Sequence, residues 1–444
     1  MLLHRRVSAV DLAPRRSGKA TLMLLLSLPI MMLAMGMAFY AAELVETRTL
    51  LRNDTDAAAL AAVQSLVDDR LLLGNPNTML QLLNDPVNGA RVNAQRYAQL
   101  NLVFGEGLNL DANLANDPDG DIVVGTLALP REKTFLLPDF TKKNDPEWLS
   151  INAVRVTGRC ADARPDGPVG LHGGPLLSRM PNDAVAVSTA TLDRFVVGLR
   201  PMGLQPMPLC PLALFVHPSG NFRHCWEYNV EKRLGPDEFR VQPNGAYYRI
   251  VNGGDGLHEM DVFLGTNQQN SPGSKAGSSD LNQQLRQGQF NVCLLQLGTS
   301  RMEDVASQIM YGVYPYQLSQ LGGQLLLGPG NWLEVNGTPW GPSSNSEGGQ
   351  QLQTALKWLQ STGVPRLWPC FSSFDKGTNN PVLCGFVAAR VVATPDVSNK
   401  GGGIHFSIQP CMMATATAIT DPARTGIGIA KLPNPYICKV RLVE

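Results

Sequence analysis

Charge is scarce in this chain of 444 residues: 17% are Asp, Glu, Lys or Arg, against about 25% in an average soluble domain. The two signs also cancel, 37 Lys+Arg against 37 Asp+Glu. A protein built to hold nucleic acid carries a basic excess, and none is present in the total. The patterns that mark the commonest chemistries are missing as well. There is no G-x-x-x-x-G-K-[ST] phosphate loop, no H-E-x-x-H zinc helix, no C-x-x-C pair and no G-x-S-x-G nucleophile turn. No internal repeat of fixed period occurs. What is plentiful is apolar residue, at 44%, which excludes wholesale disorder. Gly and Pro are also frequent, 43 and 32 residues, so many loops are expected.

The cancelled charge hides an asymmetry. Residues 1–19 hold Arg5, Arg6, Arg15, Arg16 and Lys19 against Asp11 alone. From Ala20 to Ala42 there is no charged residue, and Glu43, Glu46 and Arg48 end the run. As a helix these 23 positions span about 35 Å, enough for a hydrocarbon core of about 30 Å. The reading is a transmembrane helix over 20–42 behind a basic cytoplasmic tail over 1–19. Two alternatives stay open: a signal peptide cut near Gly36-Met37-Ala38, and a buried helix of a soluble domain. The Lys/Arg bias keeps the tail inside and sends the remaining chain across the membrane.

The helical signal continues past the membrane. Residues 43–73 contain no Gly or Pro until Gly74-Asn75-Pro76. Leu44, Leu50, Leu51, Ala57, Leu60, Ala61 and Val67 form an apolar stripe, and Ala57, Ala58, Ala61, Ala62 and Ser65 permit close approach of a neighbour. One helix from about 20 to 72 is expected, half in lipid and half in water. Such a shape suits an assembly subunit better than an enzyme.

Arg15-Arg16-Ser17-Gly18 before the apolar helix, then Leu51-Arg52-Asn53-Asp54-Thr55-Asp56-Ala57-Ala58-Ala59-Leu60-Ala61-Ala62, resemble the TadE/TadG-like family of the tight-adherence (Flp) pilus assembly system. Weaker pieces follow in the family's order: Gly120 to Gly125, Asn152 to Val156, Gly167-Pro168-Val169 and Val187 to Thr191. The likeness covers about residues 15–200. Flp pilins and TadE-type pseudopilins carry a Glu five residues after the processing glycine, where this chain has Met23. That departure points to the TadG-like branch, which resembles an uncleaved, signal-anchored component. Many of that branch carry a von Willebrand-type domain with a D-x-S-x-S metal site. The nearest run, Asp396-Val397-Ser398-Asn399-Lys400, lacks the second serine, so 201–444 has no family reading.

From 120 onward the pattern is mainly β. Period-two alternation marks strands at Asn152–Thr157 and Val185–Thr191, and Cys438, Val440 and Leu442 alternate with Lys439 and Arg441 in a terminal strand. Further strands are expected near 212–216, 246–251, 259–264, 290–297, 386–394 and 404–419. Ser300-x-x-Glu303 and Ser344-x-x-Glu347 read as capping boxes for helices near 301–310 and 348–360, and 265–289 as a long loop. All eight cysteines lie beyond the anchor. In an extracytoplasmic domain they permit four disulfides, with Cys210/Cys225 and Cys370/Cys384 the first pairs to expect and free buried thiols the alternative.

Few residues offer chemistry. Asp117-x-Asp119-x-Asp121 begins like a calcium loop, but Ile122 stands where glycine is needed and Ala128 where Glu is needed; a polar turn before a strand fits better. Cys210, His217, His224 and Cys225 match no common zinc spacing. His258-Glu259 reads as surface. Tyr311, Tyr314, Tyr316, Trp332 and Trp340 make either a binding patch or ordinary loop packing.

The sequence therefore predicts an α+β protein: a long pilin-like N-terminal helix, then a mainly-β extracytoplasmic region with a few short helices. The expected division is a tail over 1–19, a membrane helix over 20–42, its soluble extension over 43–73, a TadG-like β-rich domain over 74–200 and a second mainly-β domain over 201–444. The expected role is non-catalytic, as a single-pass inner-membrane component of a pilus or related secretion apparatus. The alternative is a cell-surface adhesion or binding module on a pilin-like anchor. Expected partners are the lipid bilayer and other pilus or secretion components, with no nucleic acid. No catalytic, cofactor or metal residue is nominated.

Overall fold

The computed structural model describes residues 17–103, 106–128, 134–142, 144–160, 184–244, 247–266, 280–328, 332–394, 403–421 and 433–443. Arg15-Arg16, Gly167-Pro168-Val169 and Asp396–Lys400 lie outside the described residues. The architecture is mixed α+β, with one long apolar N-terminal helix followed by a mostly β region carrying short helices.

Helix α1 runs unbroken from Ser17 to Gln64 and takes Pro29 in its interior. It ends several residues short of the expected 72. Two acids, Asp68 and Asp69, would sit against the negative end of a longer helix. Asp68 instead caps a new 3-10 turn, Asp69–Leu73, by accepting the Arg70 N–H at 2.9 Å, and Gly74 closes it with φ +68°. The segment after Gly74, where the β pattern is expected only from 120 onward, opens with two helices, α2 (Pro76–Asn84) and α3 (Ala90–Leu100). The Asn75-Pro76 pair that breaks the first run also starts the next: Asn75 accepts the Asn77 N–H at 3.0 Å, and Pro76 sits in the first turn, where its missing N–H costs nothing.

The lower half of α1 lies on a sheet whose described strands run in the order Met413–Ala414, Ile437–Val443, Ala184–Asp193, Ala153–Cys160, Ile122–Leu127, Phe135–Leu136. Three pieces of the family likeness, at 120–125, 152–156 and 187–191, are thus neighbouring antiparallel strands of one sheet. Within Ala184–Asp193 the small residues face the helix. Ala184, Ala186, Ser188 and Ala190 are buried, while Val185 and Val187 point outward, each 54% exposed. This inverts the usual rule that the larger apolar residue goes inside. Ala58, Ala59 and Ala62 of α1 oppose them, and Ala90, Ala94 and Ala98 of α3 join the same core. Small residues on both sides let backbones approach closely. Gly158 shows how closely, because a Cβ there would lie 2.7 Å from Thr55 Cγ2 and 2.9 Å from Leu51 Cδ1.

A second, larger core begins at Val196. Its main sheet has described strands ordered Gly337–Thr338, Val292–Leu295, Leu212–Phe215, Arg366–Phe374, Pro381–Ala393, Ile404–Pro410, Met260–Thr266, Trp340–Gly341, with Leu333–Glu334 against Pro381–Ala393. Near-continuous burial along Arg366–Phe374 and Pro381–Ala393 marks them as central. Helices Met302–Tyr311 and Glu347–Thr362 pack together, close to the expected ranges. Neither expected capping box forms as predicted. The first helix starts at an Arg301 N-cap that makes no side-chain cap, and the second is capped by Ser346, whose Oγ accepts the Gly349 N–H at 3.2 Å. The loop expected over 265–289 contains a helix, Leu281–Arg286; residues 267–279 are outside the described residues. The C-terminal strand Ile437–Val443 returns to the first sheet and pairs with Ala184–Asp193, so the two cores share the chain's last element.

The cysteines correct the disulfide expectation. All eight are buried thiols and none is joined to another. Cys370 and Cys384 sit on paired strands where a bulge separates Gly385 from Leu383, and the Cys384 thiol points to the Cys370 carbonyl at 3.7 Å.

Candidate functional site

Three places combine unusual chemistry with position: the bare half of α1, the buried face of its other half, and the junction where the chain leaving α1 meets the large sheet.

The apolar stretch at the start of α1 is long and apolar enough to cross a membrane, and none of it is buried against the rest of the chain. Leu22 through Phe39 present their side chains outward, Met23 at 76% and Ile30 at 68% exposure. A helix apolar on all sides and unpacked is unstable in water and suited to lipid. At Thr47 the pattern changes to a one-sided stripe of Thr47, Leu51, Asp54, Thr55, Ala58, Ala62 and Leu66.

Asp54 is the exception in that stripe. It is 1% exposed, and among the described residues neither carboxylate oxygen has a hydrogen-bond partner. Burial raises its pKa from 3.8 to about 7, with no cation nearby to hold it down. Its neighbour Thr55 does find a partner across the interface, with Oγ1 2.8 Å from Ser188 Oγ.

At the junction, Asp69 pairs with Arg390 and accepts the Met412 N–H at 2.6 Å. Arg390 is nearly fully buried and lies 4.9 Å over the Tyr248 ring. Arg233 donates to the Leu73 carbonyl. These contacts tie the turn after α1 to the second core. Beside them lie two cavities, of about 290 and 200 Å³, sharing Glu231, Pro435 and Tyr436. The smaller is lined by Trp226, Glu227, Cys370 and Cys384 among others. Burial lifts Glu227 to about 7 and Cys384 to about 12. Glu227 Oε2 is occupied by the His217 N–H at 2.7 Å, and Trp226 Nε1 donates to the Tyr436 hydroxyl at 3.1 Å. Thiols held protonated are weak nucleophiles, so this cavity is poorly equipped for covalent catalysis.

The sequence's candidate residues are mostly dispersed. Asp117, Asp119 and Asp121 form a polar turn leading into the Ile122–Leu127 strand: the Asp119 N–H donates to Asp117, while Asp121 pairs with Arg159 and accepts the Asp111 N–H. His217 and His224 lie in an aromatic cluster with Phe215 and Phe222, and among the described residues no three metal-binding side chains converge. Tyr311 packs on Trp358, Tyr314 stacks on Tyr316, and Trp340 meets Phe290, so the aromatic set does not form one patch. The surface reading of His258-Glu259 is corrected. Glu259 is fully buried, accepting the Glu238 and Phe239 N–H groups, and His258 lines the larger junction cavity. Sequence reasoning missed Asp54 and Asp69. Only Asp54 left a signal there, as an acid inside an apolar stripe.

Compared with protein-family models, curated proteins and solved structures, the chain matches none.

Proposed function

We propose that this chain is a single-pass membrane component of a tight-adherence pilus or related secretion apparatus, with an assembly role and no reaction of its own. The tail would stay in the cytoplasm, the first half of α1 would cross the inner membrane, and the β-rich body would stand on the far side. The observation that carries the reading is the two-part α1: bare and apolar over its first half, then packed by small residues onto a sheet made from the segments that carry the family likeness. A rigid helix joined to a folded body transmits position across the bilayer, as an assembly subunit requires. Protonated, buried thiols and a Glu227 tied to backbone are consistent with a structural body. Deleting the gene and imaging the cells tests the role. Loss of pili supports it, whereas intact pili with lost adhesion would favour a surface binding module on the same anchor.

A further inference from the structure

The end of the folded body that faces the bare half of α1 is built by α3 and the hairpin that follows it. Asn93, in the first turn of α3, donates from Nδ2 to Ser65 Oγ at 2.6 Å, just past the C-terminus of α1. Further along, Ala98 accepts the Leu108 N–H at 3.1 Å, and Leu108 meets Leu51 and Thr55 of α1 around Gly158. α3 therefore runs antiparallel to α1, and its last turn points toward the apolar half. The strands Leu102–Val103 and Glu106–Gly107 pair directly beyond that turn, and Leu102–Val103 packs on α1. Burial changes along this path. Ala90, Ala94 and Ala98 are enclosed, whereas Tyr97, Leu100 and Leu102 are 45%, 67% and 58% exposed. No charged residue interrupts the sequence between Arg96 and Glu106.

We propose that this exposed end, carrying Tyr97, Leu100 and Leu102, rests in the headgroup layer of the bilayer that α1 crosses, as a second lipid contact beside the anchor. The proposal rests on the membrane-spanning reading of α1. The level fits. With Ala42 at the edge of the hydrocarbon core, Leu51 lies about 13 Å beyond it along the helix axis. Going back from Leu108 to Glu106, which pairs with Val103, recovers about 7 Å. The distance left is close to the polar layer of about 5–8 Å that flanks each side of a hydrocarbon core. The residue types fit as well. A tyrosine joins an apolar ring to a hydroxyl, which suits the boundary between lipid and water, and leucines beside it gain by leaving water there. Large apolar groups gathered at one end of a body mark a contact, and here they continue the apolar surface of a helix that nothing in the chain covers. A single helix leaves the body free to turn and tilt about it. A lipid contact on one side of α1 fixes both.

The test uses the full chain in phospholipid nanodiscs, with a bimane fluorophore on one introduced cysteine at a time, the native thiols being buried. Leu102→Cys reports on the proposed contact, Met31→Cys on the anchor and Leu204→Cys on another exposed part of the body. Quenching is read with phosphatidylcholine spin-labelled either on the headgroup or deep in the acyl chain. Leu102→Cys is expected to lose most of its fluorescence to the headgroup label and less to the deep one. Met31→Cys should lose most to the deep label, and Leu204→Cys should keep its signal with both. If Leu102→Cys does not fold, Leu100→Cys takes its place with the same expectation. Quenching of Met31→Cys while the contact site stays as bright as Leu204→Cys would overturn the proposal and leave the anchor standing. A blue-shifted but unquenched contact site would show protein rather than lipid over this face, and would overturn it too. An unquenched Met31→Cys would overturn the anchor and the proposal together.

Discussion

Thr55 on α1 and Ser188 on the Ala184–Asp193 strand share a hydrogen bond of 2.8 Å in a fully buried interface. One helical position away, Asp54 is buried with no partner for either oxygen among the described residues. The same contact between helix and sheet therefore holds one satisfied polar group and one unsatisfied one, amid alanines. It fastens α1 to the folded body, and its energetics can be measured.

Asp54 makes that contact pH-dependent. Its folded pKa, about 7, lies above the unfolded 3.8, so the native state binds a proton that the unfolded chain has released. The associated stability is fully present below about pH 4 and is lost as pH rises through 7, with a ceiling of about 4 kcal/mol. Urea denaturation across pH 4–8 should show this slope, and Asp54→Asn should flatten it and stabilise the chain at pH 8. An unchanged slope in Asp54→Asn would mean that Asp54 is ionised or solvated in the folded chain.

Gly158 should tolerate no side chain. Its Cβ would contact Thr55 and Leu51 within 3 Å, and neither the helix nor the sheet can retreat without opening the alanine-lined core. Gly158→Ala is expected to cost about 1–3 kcal/mol, the range for overpacking a closed site. Pairing it with Thr55→Ser, which removes the clashing methyl and keeps the hydroxyl, should recover part of that loss.

Asp69→Ala should be more damaging than its surface-adjacent position suggests. It removes the acid partner of Arg390, whose Nε is already unsatisfied, and strips the acceptor from the Met412 N–H. A loss of about 3–5 kcal/mol is expected from leaving that cation buried alone. Asp69→Ala with Arg390→Met should be less destabilised than Asp69→Ala by itself. Chemical denaturation of both variants decides it.

The cysteines give a prediction opposite to the one an extracytoplasmic location would suggest. Dithiothreitol should leave the melting temperature unchanged, and thiol reagents should label the folded chain slowly and all eight sites once it is unfolded. A drop of several degrees on reduction would show that disulfides stabilise the protein.

The long apolar run, the mainly-β pattern and most strand positions were legible because each rests on local periodicity. Strands expected near 246–251 and 259–264 stand at Tyr247–Asn252 and Met260–Thr266. The end of α1 was not legible, because Asp68 opposes the helix and caps the next turn, and only the second effect fixes the boundary. The orientation of Ala184–Asp193 was hidden for another reason: alternation shows which residues share a face, but the demand for closeness to α1 put the smaller set inside. Asp69 left no local trace, because its partners Arg390 and Met412 come from segments more than 300 residues away, which sequence pattern does not bring together.

The most direct test of the account is the side of the membrane on which each part lies. The native thiols are buried, so an introduced cysteine reports alone. Ser8→Cys marks the tail and Leu204→Cys marks the body at a position 88% exposed. In intact spheroplasts treated with a membrane-impermeant maleimide, the account predicts labelling of Leu204→Cys, and labelling of Ser8→Cys only after lysis. Labelling of Ser8→Cys in intact spheroplasts, or protection of Leu204→Cys until lysis, would contradict it.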